Sequence, residues 1–429
     1  MTAEMSHART PRGSRGTRRR LIGALAATAA WSVCLAGPAP SAVAEDVRAK
    51  QWYLDAMQAE EMWKVSTGKG ITVAVIDSGV NPDTSSLRGQ VLKGWDATDA
   101  EGDETDDYAG HGTSMAELIA GTGNGGGLQG LAPDAKIIPY RIADTEFQHS
   151  NKHVNATDSA DAIRAAVDSD ARIISMSFSS EFAMDEEREA AKYALSKGKL
   201  FFAAVGNDGE ASNTVQYPAA YLEVIGVSSA DKSGTVSKTS QNGDYVDLAS
   251  PGTNVPMWCD NTFQSYCNGN GTSQATAIAS ASAALVWSLH PEWTANQVLR
   301  VLFDTAGRDW PDDQISTYLG HGLIRPSMNL LKKKGAPGDP DVSPLTKERT
   351  TAAGSTASAA PSGPASPDAS AAASSQPPQD KTGDDPVVAG SSEPDDGGNG
   401  LGLIACGVVA VVVLGGATLY FLRRRRSAL

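Results

Sequence analysis

Three residues are of the types, and stand in the order, that nucleophilic acyl transfer requires. Asp77 closes a β-branched run, Ile71 to Asp77 (ITVAVID), and is followed by Ser78-Gly79. A carboxylate at the C-terminal end of a parallel strand lies on the edge where open α/β sheets bind ligands. His111 stands in Gly110-His111-Gly112-Thr113, ahead of the helix-forming stretch Ser114 to Gly121. The flanking glycines leave its imidazole room at a helix start. Ser273 stands in Asn270-Gly271-Thr272-Ser273-Gln274-Ala275-Thr276, where an Ala-rich helix begins. The free N–H groups and positive partial charge of a helix N-terminus suit an oxyanion. Taken singly, each residue also has a structural reading: a capping carboxylate, a packing histidine, an N-cap serine. Together they supply a nucleophile, a base to take its proton and a carboxylate to orient that base.

The elements that must position them are short β-branched runs at 71–77, 136–142, 173–177, 200–205 and 224–227. Helical segments lie between, at 158–169 and at 185–197, the latter stopped by Gly198. Such alternation predicts an α/β fold with a mostly parallel sheet covered by helices on both faces. The Ala-rich helix runs from Ser273 to Leu289 and is stopped by Pro291. Thr294 with Gln297 forms a capping box for the next helix. The folded unit is therefore expected over residues 45–334, with a short N-terminal extension.

Charge is segregated along the 429 residues, which carry 36 Lys and Arg against 50 Asp and Glu. Setting aside residues 1–44 (six Arg, one acid) and Arg423 to Arg426 turns the net −14 into −23 over residues 45–422. That acidity excludes nonspecific binding of nucleic acid, which wants a basic surface. The basic stretch Arg9 to Arg20, the apolar run Leu21 to Gly37 and Ala42-Val43-Ala44 read as a secretory signal over residues 1–44. Thr17 to Ile22 also resembles a twin-arginine signal, so the export route stays open.

Residues 335–400 contain 10 of the 22 prolines and no aromatic residue, a composition expected of a disordered stalk. Leu401 to Leu422 is uncharged, and a helix of that length is ~33 Å long, enough for a ~30 Å hydrocarbon core. The basic tail 423–429 then predicts a single-pass type I protein in the cell membrane, its folded domain extracytoplasmic. With Cys34 in the signal and Cys406 in the span, Cys259 and Cys267 are left to form a local disulfide.

The motif set resembles the subtilisin-like serine proteases. AVIDSGV (74–80), GHGTSMAELIAG (110–121) and NGTSQAT (270–276) are similar to that family's three catalytic blocks, and AAVGNDG (203–209) to a fourth. The likeness covers about residues 52–331. It implies a subtilisin-like three-layer fold, Asp77, His111 and Ser273 as a catalytic triad, and an oxyanion hole from Asn207 and the Ser273 N–H. Ser175, Ser177, Phe178, Ser179, Ala204 and Gly206 would line a cleft where a peptide pairs as an added strand. Gln51-Trp52-Tyr53-Leu54 and Glu60-Glu61-Met62-Trp63 look like the mycosins, membrane-anchored subtilases associated with type VII secretion. The expectation is a serine endopeptidase acting on protein or peptide through an acyl-enzyme, with a type VII secretion complex as partner. The alternative is a structural component of such a complex whose protease activity is dispensable.

Two departures stand out. Ala277 occupies the place where many subtilases have Pro, and Ser177-Phe178-Ser179 puts side chains where the cleft strand usually has Gly, narrowing the S1 entrance. The segment Asp96 to Asp107 holds seven acids in twelve residues and reads as a solvated loop. Its charge is compatible with Ca²⁺, but the spacing is not that of an EF-hand loop, and no metal or cofactor is assigned. His149, His153, His290 and His321 have no partner motif and are read as surface or packing residues.

Overall fold

The computed structural model describes residues 47–142 and 158–350. Strand β1 (Thr72–Asp77) is buried from Val73 onward, which explains its apolar run. Its side chains alternate between two cores: Val73 and Val75 enter one, Ala74 and Ile76 the other. The further strands are β2 (Trp95–Asp96), β3 (Lys136–Arg141), β4 (Ile173–Met176), β5 (Leu200–Ala204), β6 (Ile225–Ala230) and β7 (Leu248–Pro251). With β1 they form a seven-stranded sheet in the order β2-β3-β1-β4-β5-β6-β7. Every pairing in it is parallel. The chain runs from β1 to one side for β2 and β3, then crosses to the other for β4 onward. The order thus reverses beside β1, and the crevice at such a reversal is where open α/β sheets bind ligands.

Five helices of ten or more residues are described: α1 (His111–Ala120), α2 (Asp158–Asp168), α3 (Asp185–Ser196), α4 (Thr272–Leu289) and α5 (Ala295–Thr305). Apolar residues of α1, α4 and α5 share one core with Val73, Val75 and Phe202; those of α2 and α3 share the other with Ala74, Ile76 and Phe201. The result is the expected three layers. Every residue of α4 from Thr272 to Trp287 is buried, so its Ala and Ser content serves close approach on all sides and not an amphipathic face. Thr294 caps α5 through the expected capping box with Gln297.

Three features differ from the sequence reading. A two-stranded antiparallel hairpin, β8 (Thr253–Trp258) with β9 (Tyr266–Asn270), follows β7; Pro256 and the Asn and Gly residues of β9 hid it. The N-terminal extension is part of the core: Tyr53, Leu54 and Met62 are fully buried. Residues 335–350, read from composition as the start of the stalk, lie against the domain. Arg300 on α5 donates to the carbonyls of Pro337, Asp339 and Val342, so backbone polar groups anchor a segment with little apolar content.

The signal, His149, His153, the rest of the stalk, Leu401–Leu422 and the basic tail lie outside the described residues. Among those described, no helix is long and apolar enough to cross a membrane.

Candidate active site

Strand β1 delivers Asp77 to the C-terminal edge of the sheet with 5% of its surface exposed. Its Oδ1 accepts from the backbone N–H of Ser78 (2.8 Å) and lies 2.7 Å from Nδ1 of His111. An ionised carboxylate can only accept, so the contact places the imidazole proton on Nδ1 and leaves Nε2 as the acceptor. His111 is the first residue of α1. The residue before it, Gly110, has φ 78°, and a Cβ there would collide with the Asp260 carbonyl. Gly112 is required for a different reason: a Cβ would run into the Gly79 carbonyl and press on Asp77. Gly112 thus lets the α1 start sit directly on the end of β1, and Gly110 lets the hairpin loop approach it from the other side.

Ser273 is the second residue of α4 and is 7% exposed. Its Oγ donates to the Ser177 carbonyl (3.2 Å), and Ser177 Oγ donates in return to the Ser273 carbonyl (3.2 Å). The start of α4 is therefore stitched to the segment that leaves β4. Asn207 lies in the loop after β5, and its Oδ1 accepts from Thr272 N (2.8 Å) and Thr272 Oγ1 (3.2 Å). Those bonds fix the orientation of the side-chain amide. Its Nδ2 is left as a donor at the same helix N-terminus as the Ser273 N–H. Two N–H donors beside a hydroxyl, at the same sheet edge as a buried carboxylate paired with a half-buried imidazole, are the parts of an acyl-transfer site.

The Subtilase family description matches residues 68–322. The chain belongs to the subtilase family. Among its relatives are thermitase of Thermoactinomyces vulgaris, 31% identical over 278 residues, covering 63% of this chain and 95% of thermitase. The major intracellular serine protease of Bacillus subtilis is 33% identical, covering 62% of this chain and 85% of that protein. The minor extracellular protease Epr of B. subtilis is 34% identical, and the match spans only 41% of Epr. Similar solved structures include MycP1 from Mycobacterium smegmatis (TM-score 0.58, 27% identity, 69% of this chain and 88% of that one). Another is a MycP1 described as a serine protease and an essential component of the type VII (ESX-1) secretion system (TM-score 0.57, 29% identity, 68% and 90%). The chain is a subtilisin-like serine endopeptidase with mycosin structural neighbours.

Within this subtilase the other residues expected at the cleft fall in different places. Ala204 ends β5 and Gly206 follows it, both buried beside Asn207; the Gly206 N–H donates to Thr272 Oγ1 (3.3 Å). Ser177, Phe178 and Ser179 follow β4 along the edge, and Ser180 next to them forms an antiparallel bridge with Tyr217. Ser175 does not reach the cleft. It is 1% exposed inside β4, between Val75 and Phe202, because the strand continues to Met176 before the chain emerges. Phe178 is half-buried and packs against the α2–α3 core.

Cys259 and Cys267 are joined, with Cα atoms 5.0 Å apart, and close the β8–β9 hairpin. The loop they enclose touches the residues before His111: Asn261 Nδ2 donates to the Tyr108 carbonyl (2.9 Å). Behind it, Trp258 N–H donates to Ser114 Oγ (2.9 Å) on α1. Ala277, where many subtilases have Pro, is fully buried in an unbroken α4.

The acidic run is the expected loop, with Asp99, Glu101, Asp103 and Asp106 exposed, but some of its carboxylates turn inward. Asp96 forms an ion pair with Arg141, whose side chain is 2% exposed, and Asp107 is itself buried. Glu104 Oε1 accepts from Gly94 N (3.0 Å), and Asp106 Oδ2 from Asp103 N (2.9 Å). These carboxylates are spent on holding the loop. Among the described residues no group of three or more His, Cys, Asp or Glu is arranged to hold a metal ion. His290 stacks on Trp293 and His321 on Phe303, which are packing roles. Sequence reasoning missed Asp107 and Glu117; the first was hidden among six other acids, the second inside the helix-forming stretch of α1.

Proposed function

We propose that this chain is a membrane-anchored, extracytoplasmic endopeptidase of a type VII secretion system, cleaving a protein or peptide substrate through an Asp77–His111–Ser273 triad. What supports the catalytic part is a buried carboxylate paired with a half-buried imidazole at the same sheet edge as a serine at a helix N-terminus. In this reading Asp77 holds His111 in the Nδ1–H tautomer, and His111 Nε2 takes the Ser273 proton. Ser273 Oγ attacks the peptide carbonyl carbon, exchanging its bond to the Ser177 carbonyl for one to the base. The oxyanion lies between Asn207 Nδ2 and the Ser273 N–H. His111 then protonates the leaving amine, and water activated by the same imidazole hydrolyses the acyl-enzyme.

The anchoring rests on Leu401–Leu422 and the signal-like residues 1–44; the secretion setting rests on the likeness to the MycP1 structures. Labelling by a fluorophosphonate probe should occur on the intact chain and vanish in Ser273→Ala. Persistent labelling in that variant would overturn the assignment. The description of one neighbour as an essential secretion component favours a second reading, a structural role in the complex. Normal export in a Ser273→Ala strain, with loss of export on deletion of the whole chain, would select it.

A further inference from the structure

Asp107 is 7% exposed yet carries a carboxylate. Five donors converge on it. Oδ1 accepts from Ser78 Oγ (2.7 Å), Gly110 N (2.8 Å) and Ala109 N (3.1 Å); Oδ2 accepts from Thr113 Oγ1 (2.6 Å) and Thr113 N (2.8 Å). These donors bracket His111 on both sides, two residues before it and two after. The helix needs that help, because its N-cap is Gly110, which has no side chain to offer. The remaining link is Ser78. Its Oγ accepts from Gly112 N (3.0 Å), donates to Asp107 and lies 3.3 Å from Asp77 Oδ1.

We infer that Asp107 is a positioning residue for His111, setting the start of α1 against Asp77 through Ser78 and placing a second negative charge behind the imidazole. The inference rests on the proposed catalytic role of His111. Only a carboxylate fits this site. An Asn of the same shape would turn its NH₂ toward either the Thr113 donors or the set from Ser78, Ala109 and Gly110. A buried negative charge is also favoured beside a helix N-terminus. Other charged groups around this start of α1 are already committed. Asp77 on β1 contacts the imidazole itself, Asp260 on the hairpin loop accepts from Thr262, and Glu117 further along α1 accepts from Thr84 and Tyr266. Across the acidic loop, Arg141 pairs with Asp96 and donates to the Asp106 carbonyl, and Asp106 accepts from Asp103.

The test compares the intact protein with Asp107→Asn and Asp107→Glu, and with Ser78→Ala, which removes the bridge and leaves the carboxylate. Two readouts are used: fluorophosphonate inactivation rate and peptide kcat against pH, and the proton chemical shift of the His111 ring against pH. Asp107→Asn should lower kcat and the inactivation rate by about tenfold to a hundredfold with KM little changed. The His111 midpoint should fall by about half a unit or more, because a nearby negative charge that favours imidazolium is gone. Ser78→Ala should lower the rate in the same direction, and it decides the matter if Asp107→Asn does not fold. Unchanged rate and unchanged His111 titration in folded Asp107→Asn, or in Ser78→Ala, overturn the inference. The ring titration reads positioning without turnover. A wild-type protein that fails to label while its His111 midpoint still shifts in Asp107→Asn therefore counts against the catalytic reading and supports this one.

Discussion

The hydroxyl of Tyr266 donates to Glu117 Oε2 at 2.8 Å, tying the disulfide-closed hairpin to the helix that begins with His111. Thr84 Oγ1 donates to the other oxygen at 2.7 Å. Burial pushes the Glu117 carboxyl up from 4.5 to about 7, with the bonds from Thr84 and Tyr266 pulling partly back. Because the folded value lies above the unfolded one, the native state keeps this proton between about 4.5 and about 7. The associated stability is complete below that window and is lost as pH rises through it. Glu117→Gln cannot ionise. Its stability relative to the parent should therefore rise between pH 5 and pH 8, by up to about 3 kcal/mol. Asp247, also raised to about 7 by burial, is present in both proteins and cancels in the difference. Denaturant unfolding of the two at several pH values checks this; parallel pH profiles would count against it.

Asn207 separates two roles that alanine would confuse. Its Oδ1 caps the start of α4 at Thr272, while its Nδ2 is the proposed oxyanion donor. Asn207→Asp keeps the acceptor and removes the donor; Asn207→Ala removes both. Both variants should lose about a hundredfold to a thousandfold in kcat with a small change in KM. Only the alanine variant should also lose stability, by about 1 kcal/mol, because only it leaves the Thr272 N–H without its cap. Steady-state kinetics and thermal melts on the pair give the answer, and an active Asn207→Asp would remove Asn207 from the oxyanion hole.

The α/β class and the candidates Asp77, His111 and Ser273 were legible because each is tied to a local pattern, whereas Asn207 was legible only through the family likeness of residues 203–209. A β-branched run ends at Asp77, glycines flank His111, and an Ala-rich helix starts at Thr272. What was illegible depends on tertiary partners. Strand β2 is two residues long, and β7 contains Ser250 and Pro251, so neither carries a strand signal. Ser175 was assigned to the cleft by the family likeness, although the expected strand already ran past it, and in β4 it is buried between Val75 and Phe202. Asp107 differs from its acidic neighbours only in having five donors folded around it, and composition cannot show that. The stalk boundary was hidden for a related reason: residues 335–350 have few apolar side chains, and much of what holds them is polar, from Asn296 and Arg300 on α5 to their backbone carbonyls.

That anchor makes the last prediction. Arg300 donates to Pro337 O (2.5 Å), Asp339 O (3.0 Å) and Val342 O (2.6 Å), and Asn296 Nδ2 reaches Pro340 O (2.9 Å) and Thr350 Oγ1 (2.8 Å). Ser343 is fully buried by the same packing. If the segment were stalk, ending the chain after Lys334 would cost nothing. Because the segment packs on the domain, Arg300→Ala should destabilise by about 3 kcal/mol, and that truncation, which also removes the two Asn296 bonds, by about 5 kcal/mol, at about 1 kcal/mol for each hydrogen bond lost. Ending the chain after Thr350 should leave stability within about 0.5 kcal/mol of the parent. Chemical denaturation of the three variants orders them, and equal stability of the 334 and 350 truncations would return the boundary to the end of the Lys332-Lys333-Lys334 run.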